Sequence, residues 1–241
     1  MMNPDVTRSI ASSTIASLME CAQQADRYGG PLVGKNHHVI ALSSGTGAGG
    51  REVGDILAKH LNVKLYDKEI VKAIASEAHF NKHVMELLDE RIDGLRGAWL
   101  HSILTGENLC KENYCRNLVN VILGLACQGG VILGRGCCFI LAQYPVLRVN
   151  IVGSLEKCAT RFAEQEGIAP DVAKEQVKET DDARDAYIKK LFDQDNNDPR
   201  HFDLVVNSDH LSSEYIADLI LRAKEHAQFE EKPYPDDHPA R

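Results

Sequence analysis

The chain has 241 residues, 44% hydrophobic and 26% charged, ordinary globular values that exclude a wholly disordered or collagen-like chain. Its net charge of −8 argues against a surface that grips a nucleic-acid backbone, although a local basic cleft stays open. No apolar run reaches the roughly 18–20 residues of a membrane-spanning helix, so no membrane and no nucleic acid are expected as partners.

The opening MMNPDVTRSIASSTIASL lacks a compact apolar stretch behind a basic start, so no secretory leader is expected. The seven cysteines include no C-x-x-C pair and read as reduced, mostly buried thiols of a cytoplasmic protein. The ten histidines show neither triad nor ligand spacing, and no serine or cysteine sits in a nucleophile elbow.

Residues 1–36 read as an N-terminal extension with one amphipathic helix through Ile10, Ile15, Leu18 and Met19, broken at Tyr28-Gly29-Gly30-Pro31. The first strand is His38–Ser43. It runs into the glycine turn GTGAGG at 45–50, and from Arg51 a helical period takes over through Val53, Ile56, Leu57 and Leu61. A second strand at 63–66 ends at Asp67. Residues 68–128 are largely helical by period, with breaks near Gly94, Gly97 and Gly106; Trp99 reads as packing. A third strand at 131–133 ends in Gly134-Arg135-Gly136, and a fourth covers 147–152. Helices follow at about 155–166 and 170–192, then a fifth strand at 204–207 and a helix at about 213–229. The polar, proline-broken tail 230–241 reads as disordered. Short apolar strands alternating with helices predict an α/β fold, with a five-stranded parallel sheet covered by helices on both faces.

Strand, glycine turn and helix form the physical recipe for holding phosphate, because backbone N–H groups converge where the helix adds positive potential. Two templates fit. Gly45, Gly47 and Gly50 match G-x-G-x-x-G, and Asp67 stands near the place of a ribose-binding carboxylate. Gly45 and Gly50 also match the glycines of a P-loop, with Arg51 for its lysine and Glu52 for its hydroxyl residue.

Further segments carry a resemblance: VIALSSGTGAGGREVG at 39–54, LYDKEIV at 65–71, VILGRG at 131–136, LRVNIVGSLEKCATRF at 147–162, TDDARDAYIKKLF at 180–192 and FDLVVNSDHLS at 202–212. Together they resemble the cytidylate kinase-like family of P-loop nucleoside monophosphate kinases over about 37–228. The loop form GxGGRE is typical of that group. The resemblance implies one domain at 37–229, with a helical acceptor-binding insertion at about 68–128 and a mobile, positively charged lid at about 167–200.

It also implies roles. Backbone amides of Gly47, Ala48, Gly49 and Gly50, after the turn at Gly45, would cradle donor phosphate. Arg51 would supply the cation that a P-loop lysine gives, and Glu52 would help hold Mg2+. Arg161 would stand on the donor side, Asp67 and Arg135 on the acceptor side, and Arg184 at the transferring phosphoryl group, with Lys189 and Lys190 as further lid cations. The residue-level alternatives are ordinary ones: Asp67 as a helix N-cap, Glu52 as a first-turn acid, and Asp181–Arg184 and Asp185–Lys189 as surface pairs.

The sequence departs from true cytidylate kinases in three places. The P-loop lysine is missing, no aspartates flank Gly134-Arg135, and Thr180, Ala183 and Tyr187 stand at lid positions where those enzymes carry arginine. The reading expected is ATP- and Mg2+-dependent phosphoryl transfer to a nucleoside monophosphate, CMP or dCMP by resemblance, or to a related small acceptor. A homodimer is compatible with it. The alternatives are a nucleotide-binding regulatory protein without transfer and, behind it, an NAD-dependent oxidoreductase.

Overall fold

Val39–Ser44 forms the central strand β1 in the computed structural model, which describes residues 38–67 and 109–229. The expectations for 1–36, for Trp99 and the rest of 68–108, and for 230–241 lie outside the described residues. Val39 and Ala41 point to one side of the sheet, Ile40 and Leu42 to the other, and all four are buried. A strand apolar on both faces belongs inside a parallel sheet. Helix α1 (Gly50–Leu61) lays Val53, Leu57 and Ala58 on the sheet and ends at Asn62, which adopts φ 53 and donates its N–H to Ala58 and Lys59 carbonyls.

Strand β2 is short, Leu65–Tyr66. Helix α2 (Leu109–Gln128) is buried on nearly all sides over its second half, from Leu118 to Cys127. Strand β3 (Gly130–Leu133) leads into a one-turn helix α3 (Cys137–Ile140). Strand β4 is Leu147–Val152. Helix α4 (Leu155–Glu166) starts at Ser154, whose hydroxyl accepts from the Lys157 N–H. Helix α5 (Pro170–Phe192) begins on proline, at a position where no N–H is needed. A 3-10 turn at Pro199–His201, strand β5 (Leu204–Asn207) and helix α6 (Ser213–His226) complete the order, with Ser212 capping α6.

The sheet order is β2-β3-β1-β4-β5, with every pair parallel. Val39 pairs with Gly130, and Ile40 with Leu147. Two apolar layers flank the sheet. One joins Val39, Ala41 and Ile132 to α2, α3, Phe192 and Phe202. The other joins Ile40, Leu42, Val131 and Val149 to α1, Val177 and α6. Helix α5 takes part in both, with Val177 in one layer and Ile188 and Phe192 in the other. It therefore crosses over the carboxyl ends of the strands. Strand bounds agree with the sequence reading within two residues. Helix α3 was not expected, because four residues are too few to show a helical period.

The strand order separates the two templates for the glycine turn. In a dinucleotide-binding sheet β2 lies beside β1. Here β3 stands between them, so Asp67 is two strands away from the strand that feeds the turn.

Candidate phosphate-binding site

The glycine turn is pinned from below. The Gly45 N–H donates to the Ile151 carbonyl at 3.0 Å, and the Ala48 N–H turns back to the Gly45 carbonyl at 3.2 Å. Gly47 has φ 74, and a β-carbon there would collide with the carbonyl oxygen of Cys158 on α4. Only glycine meets both demands. Gly49 caps α1 at φ 86 with no side-chain hydrogen bond to the first turn. The first N–H groups of a helix have no intrahelical partner, so this end presents donors and positive potential at the sheet's carboxyl edge.

Each residue singled out from the sequence has a definite place. Arg51 extends from the first turn of α1, and its Nη1 donates to Asp67 Oδ2 at 2.5 Å; the arginine side chain is 55% exposed and the aspartate 3%. A cation at a helix amino end is disfavoured by the dipole, and the buried carboxylate offsets this. Glu52 Oε2 accepts from the Ser213 hydroxyl at 2.6 Å, which ties α1 to the start of α6. Its Oε1 is not used in that bond. Arg161 braces the turn from α4: Nη1 donates to the Gly47 carbonyl at 3.0 Å and to Ser208 Oγ at 2.9 Å, and Nη2 to the Ser208 carbonyl at 2.7 Å.

Arg135 sits at the end of β3 with φ 56, between Gly134 at φ 79 and Gly136 at φ 73. Left-handed backbone costs a non-glycine residue about 1–2 kcal/mol. Its Nε is buried without a hydrogen-bond partner in the described structure. Strained backbone and an unpaired buried guanidinium nitrogen are each costly, so this arginine stands out among the described residues.

The segment expected as a lid, about 167–200, comprises the link after α4, all of α5 and the turn that follows. Arg184 Nη1 donates to the Ser44 carbonyl at 2.8 Å and to Asp181 Oδ1 at 2.7 Å. Lys189 pairs with Asp193 at 2.7 Å on the exposed side of α5, and Lys190 is exposed. Both lysines thus lie away from the turn's contacts. Asp185 accepts from Asn196 and Asn197, which folds the chain after α5 back onto it.

Sequence reasoning missed Asp181 as a partner of the turn, and also Ser208 and Ser213. Asp181 was visible only as an i, i+3 partner of Arg184. Burial raises the Cys158 thiol beneath the turn, Arg161 lowers it, and the carboxylates of Asp181 and Asp209 raise it again. Burial likewise raises Cys138 well above its ordinary value. Both thiols are therefore neutral packing groups rather than nucleophiles. No cluster of three or more metal-ligating side chains occurs among the described residues. A magnesium ion that travels on phosphates needs only one or two carboxylates, and Glu52 brings one to the first turn of α1.

The model of the cytidylate kinase-like family matches residues 39–210. Among solved structures, the chain is similar to an uncharacterized protein from Eubacterium ventriosum ATCC 27560, at 23% identity and a TM-score of 0.58, covering 79% of this chain and 99% of that one. That likeness shows the fold. Shikimate kinase from Bacteroides thetaiotaomicron aligns at 18% identity over 78% of this chain and 96% of that chain, with a TM-score of 0.41. Shikimate kinase from Acinetobacter baumannii, in complex with shikimate, aligns at 15% over 78% and 93%, with a TM-score of 0.40. Both superpositions are too loose to carry an argument. No curated protein matches. No helix among the described residues is long and apolar enough to cross a membrane.

Proposed function

Because the chain belongs to the cytidylate kinase-like family, we propose that it transfers the γ-phosphoryl group of ATP to a small phosphate-bearing acceptor, with CMP or dCMP first among candidates. The observation that carries the reading is the amino end of α1. Gly49 caps it without a side chain, the turn before it is locked by Ile151 and Cys158, and Arg51 and Arg184 stand at its rim.

Phosphoryl transfer asks for little covalent chemistry, so positioning and charge neutralisation supply most of the catalysis. The amides of Gly47, Gly49 and Gly50 would hold donor phosphate; the Ala48 N–H, expected among them, is instead spent closing the turn onto the Gly45 carbonyl. Arg161 supports them by fixing the Gly47 carbonyl. Arg51 would neutralise donor charge, with Asp67 setting its direction from the acceptor side. Glu52 would hold Mg2+ through its Oε1 or through water; bound there, the ion neutralises phosphate oxygens. Arg135 would take the acceptor phosphate, and Arg184 would bridge toward the group in transfer.

A second reading, a nucleotide-binding regulatory protein without transfer, has one observation in its favour. Asp67 already engages the guanidinium that must serve in place of the missing lysine. One assay separates the two: ADP release from ATP·Mg2+, with CMP, dCMP, UMP, AMP and GMP offered separately. Acceptor-dependent release is expected for one of them. ATP binding without stimulation by any would overturn transfer to nucleotides and favour the regulatory reading.

A further inference from the structure

We propose that Asp181 is a positioning residue of this site, one whose carboxylate docks α5 on the glycine turn and fixes Arg184 before nucleotide arrives. The proposal rests on reading the turn as the donor-phosphate site.

Three donors converge on one oxygen. Asp181 Oδ1 accepts from the Thr46 N–H at 3.0 Å, from Thr46 Oγ1 at 2.8 Å and from Arg184 Nη1 at 2.7 Å. Thr46 is the second residue of the turn and gives both of its donors to α5. An i, i+3 ion pair on an exposed helix face is weak and holds nothing else in place. This pair is different, because it joins two segments far apart in the chain.

The guanidinium is fixed from two sides. The Nη1 of Arg184 has two hydrogens; one meets Asp181 and the other meets the Ser44 carbonyl, the last residue of β1. Its orientation is therefore set by the sheet and by its own helix together. The Nη2 and Nε edge takes no part in these bonds and is the edge left to meet an anion. A guanidinium already oriented loses less freedom on binding than a free one. Asp181 brings a negative charge to the mouth of a phosphate site, and Arg184 neutralises it in the same contact. These features favour positioning over a gate that phosphate must displace, and the two predict opposite signs.

The test uses the full chain with three variants: Asp181→Ala, Arg184→Ala and the double variant. In the nucleotide-free protein, amide hydrogen exchange at Thr46 should quicken at least tenfold in Asp181→Ala. By calorimetry with ATP·Mg2+ as the probe, Asp181→Ala should bind at least tenfold more weakly. In the Arg184→Ala background the same change should have almost no further effect, because Asp181 acts through Arg184. Equal loss in both backgrounds would reduce Asp181 to a structural residue and overturn the proposal. Tighter ATP binding in Asp181→Ala would make the contact a gate and overturn it too. Unchanged exchange at Thr46 would remove the docking contact itself. Should Asp181→Ala not fold, Asp181→Asn keeps the shape and an acceptor oxygen and carries the same comparison, with smaller losses expected. If the wild-type chain binds no ATP, the donor-site reading fails, and Asp181's role in nucleotide use with it; Thr46 exchange then still decides the docking contact.

Discussion

Arg51 stands at the amino end of a helix, a place where a cation costs about 0.3–1 kcal/mol against the dipole. The buried carboxylate of Asp67 supplies a structural reason for it to be there. The same contact aims the guanidinium, so its structural role and the role proposed for it coincide. Arg51→Ala should therefore act twice. Removing one charged donor from a buried carboxylate should cost about 1–3 kcal/mol of stability, read from urea unfolding. Turnover with whichever acceptor stimulates ADP release should fall on the order of 100-fold or more, read from kcat. Full stability loss with unchanged kcat would leave Arg51 a purely structural residue. At this scale the sequence singled out side chains that the structure places around one end of the sheet, and it was silent about their contacts. Arg135 was conspicuous after a buried strand, but its left-handed backbone could not be read from residue types. Asp181 lies so far along the chain from Thr46 that no local spacing could have joined them.

Among the elements, α5 has the greatest reach. Phe192 stacks on Phe139 of α3 with ring centroids 5.5 Å apart, and Phe139 also meets Phe202 edge-on at 6.0 Å. Phe192 further fills the space beside Gly136, where a β-carbon would collide with its ring. The end of α5 thus supports the backbone of Gly134-Arg135-Gly136 from behind. Phe192→Ala should cost about 3–5 kcal/mol by the usual cavity penalty, measured by denaturant unfolding. It should also raise the KM for the acceptor more than the KM for ATP, because Arg135 is the nearer dependent. Equal effects on the two KM values would disconnect Phe192 from Arg135. The strands and long helices were legible because each buries a continuous or periodic set of apolar side chains. Helix α3 was not, because Cys137-Cys138-Phe139-Ile140 is apolar throughout and has no period to read.

Over the whole molecule, acidity and surface geometry combine. Five carboxylates are held below their ordinary range. Glu156 and Glu214 are lowered first by their own first-turn amides, Asp193 by Lys189, Asp198 by Arg200 and Asp209 by the Ser154 N–H. A depressed folded value means that the folded state binds protons less readily than the unfolded chain. The resulting stability is present above the unfolded carboxylate values of about 4 and is lost as pH falls through the lowered ones. Melting temperature should thus begin to drop below about pH 5 and keep falling as pH passes down through the lowered carboxylate values. Asp209→Asn, which removes one of these groups, should make that drop shallower; an unchanged slope would assign the acid loss elsewhere. The number of strands was readable from apolar runs, whereas their order was not. Nothing local in Val131-Ile132-Leu133 says that β3 will lie between β2 and β1.

That order bears on how the chain is made. The central strand leaves the ribosome well before its neighbours at 130–133 and 147–152. The turn at 45–50 is shaped by Ile151 and by the backbone of Cys158, both of which are synthesised after the turn has already left the tunnel. Contacts so distant in sequence form slowly, and the apolar β1 waits exposed meanwhile. A nascent chain that stops short of α4 carries every glycine of the turn and still lacks the contacts that shape it. Acquisition of nucleotide affinity during translation therefore marks the arrival of the second half of the sheet, and any chaperone that attends this protein has β1 to shield until then.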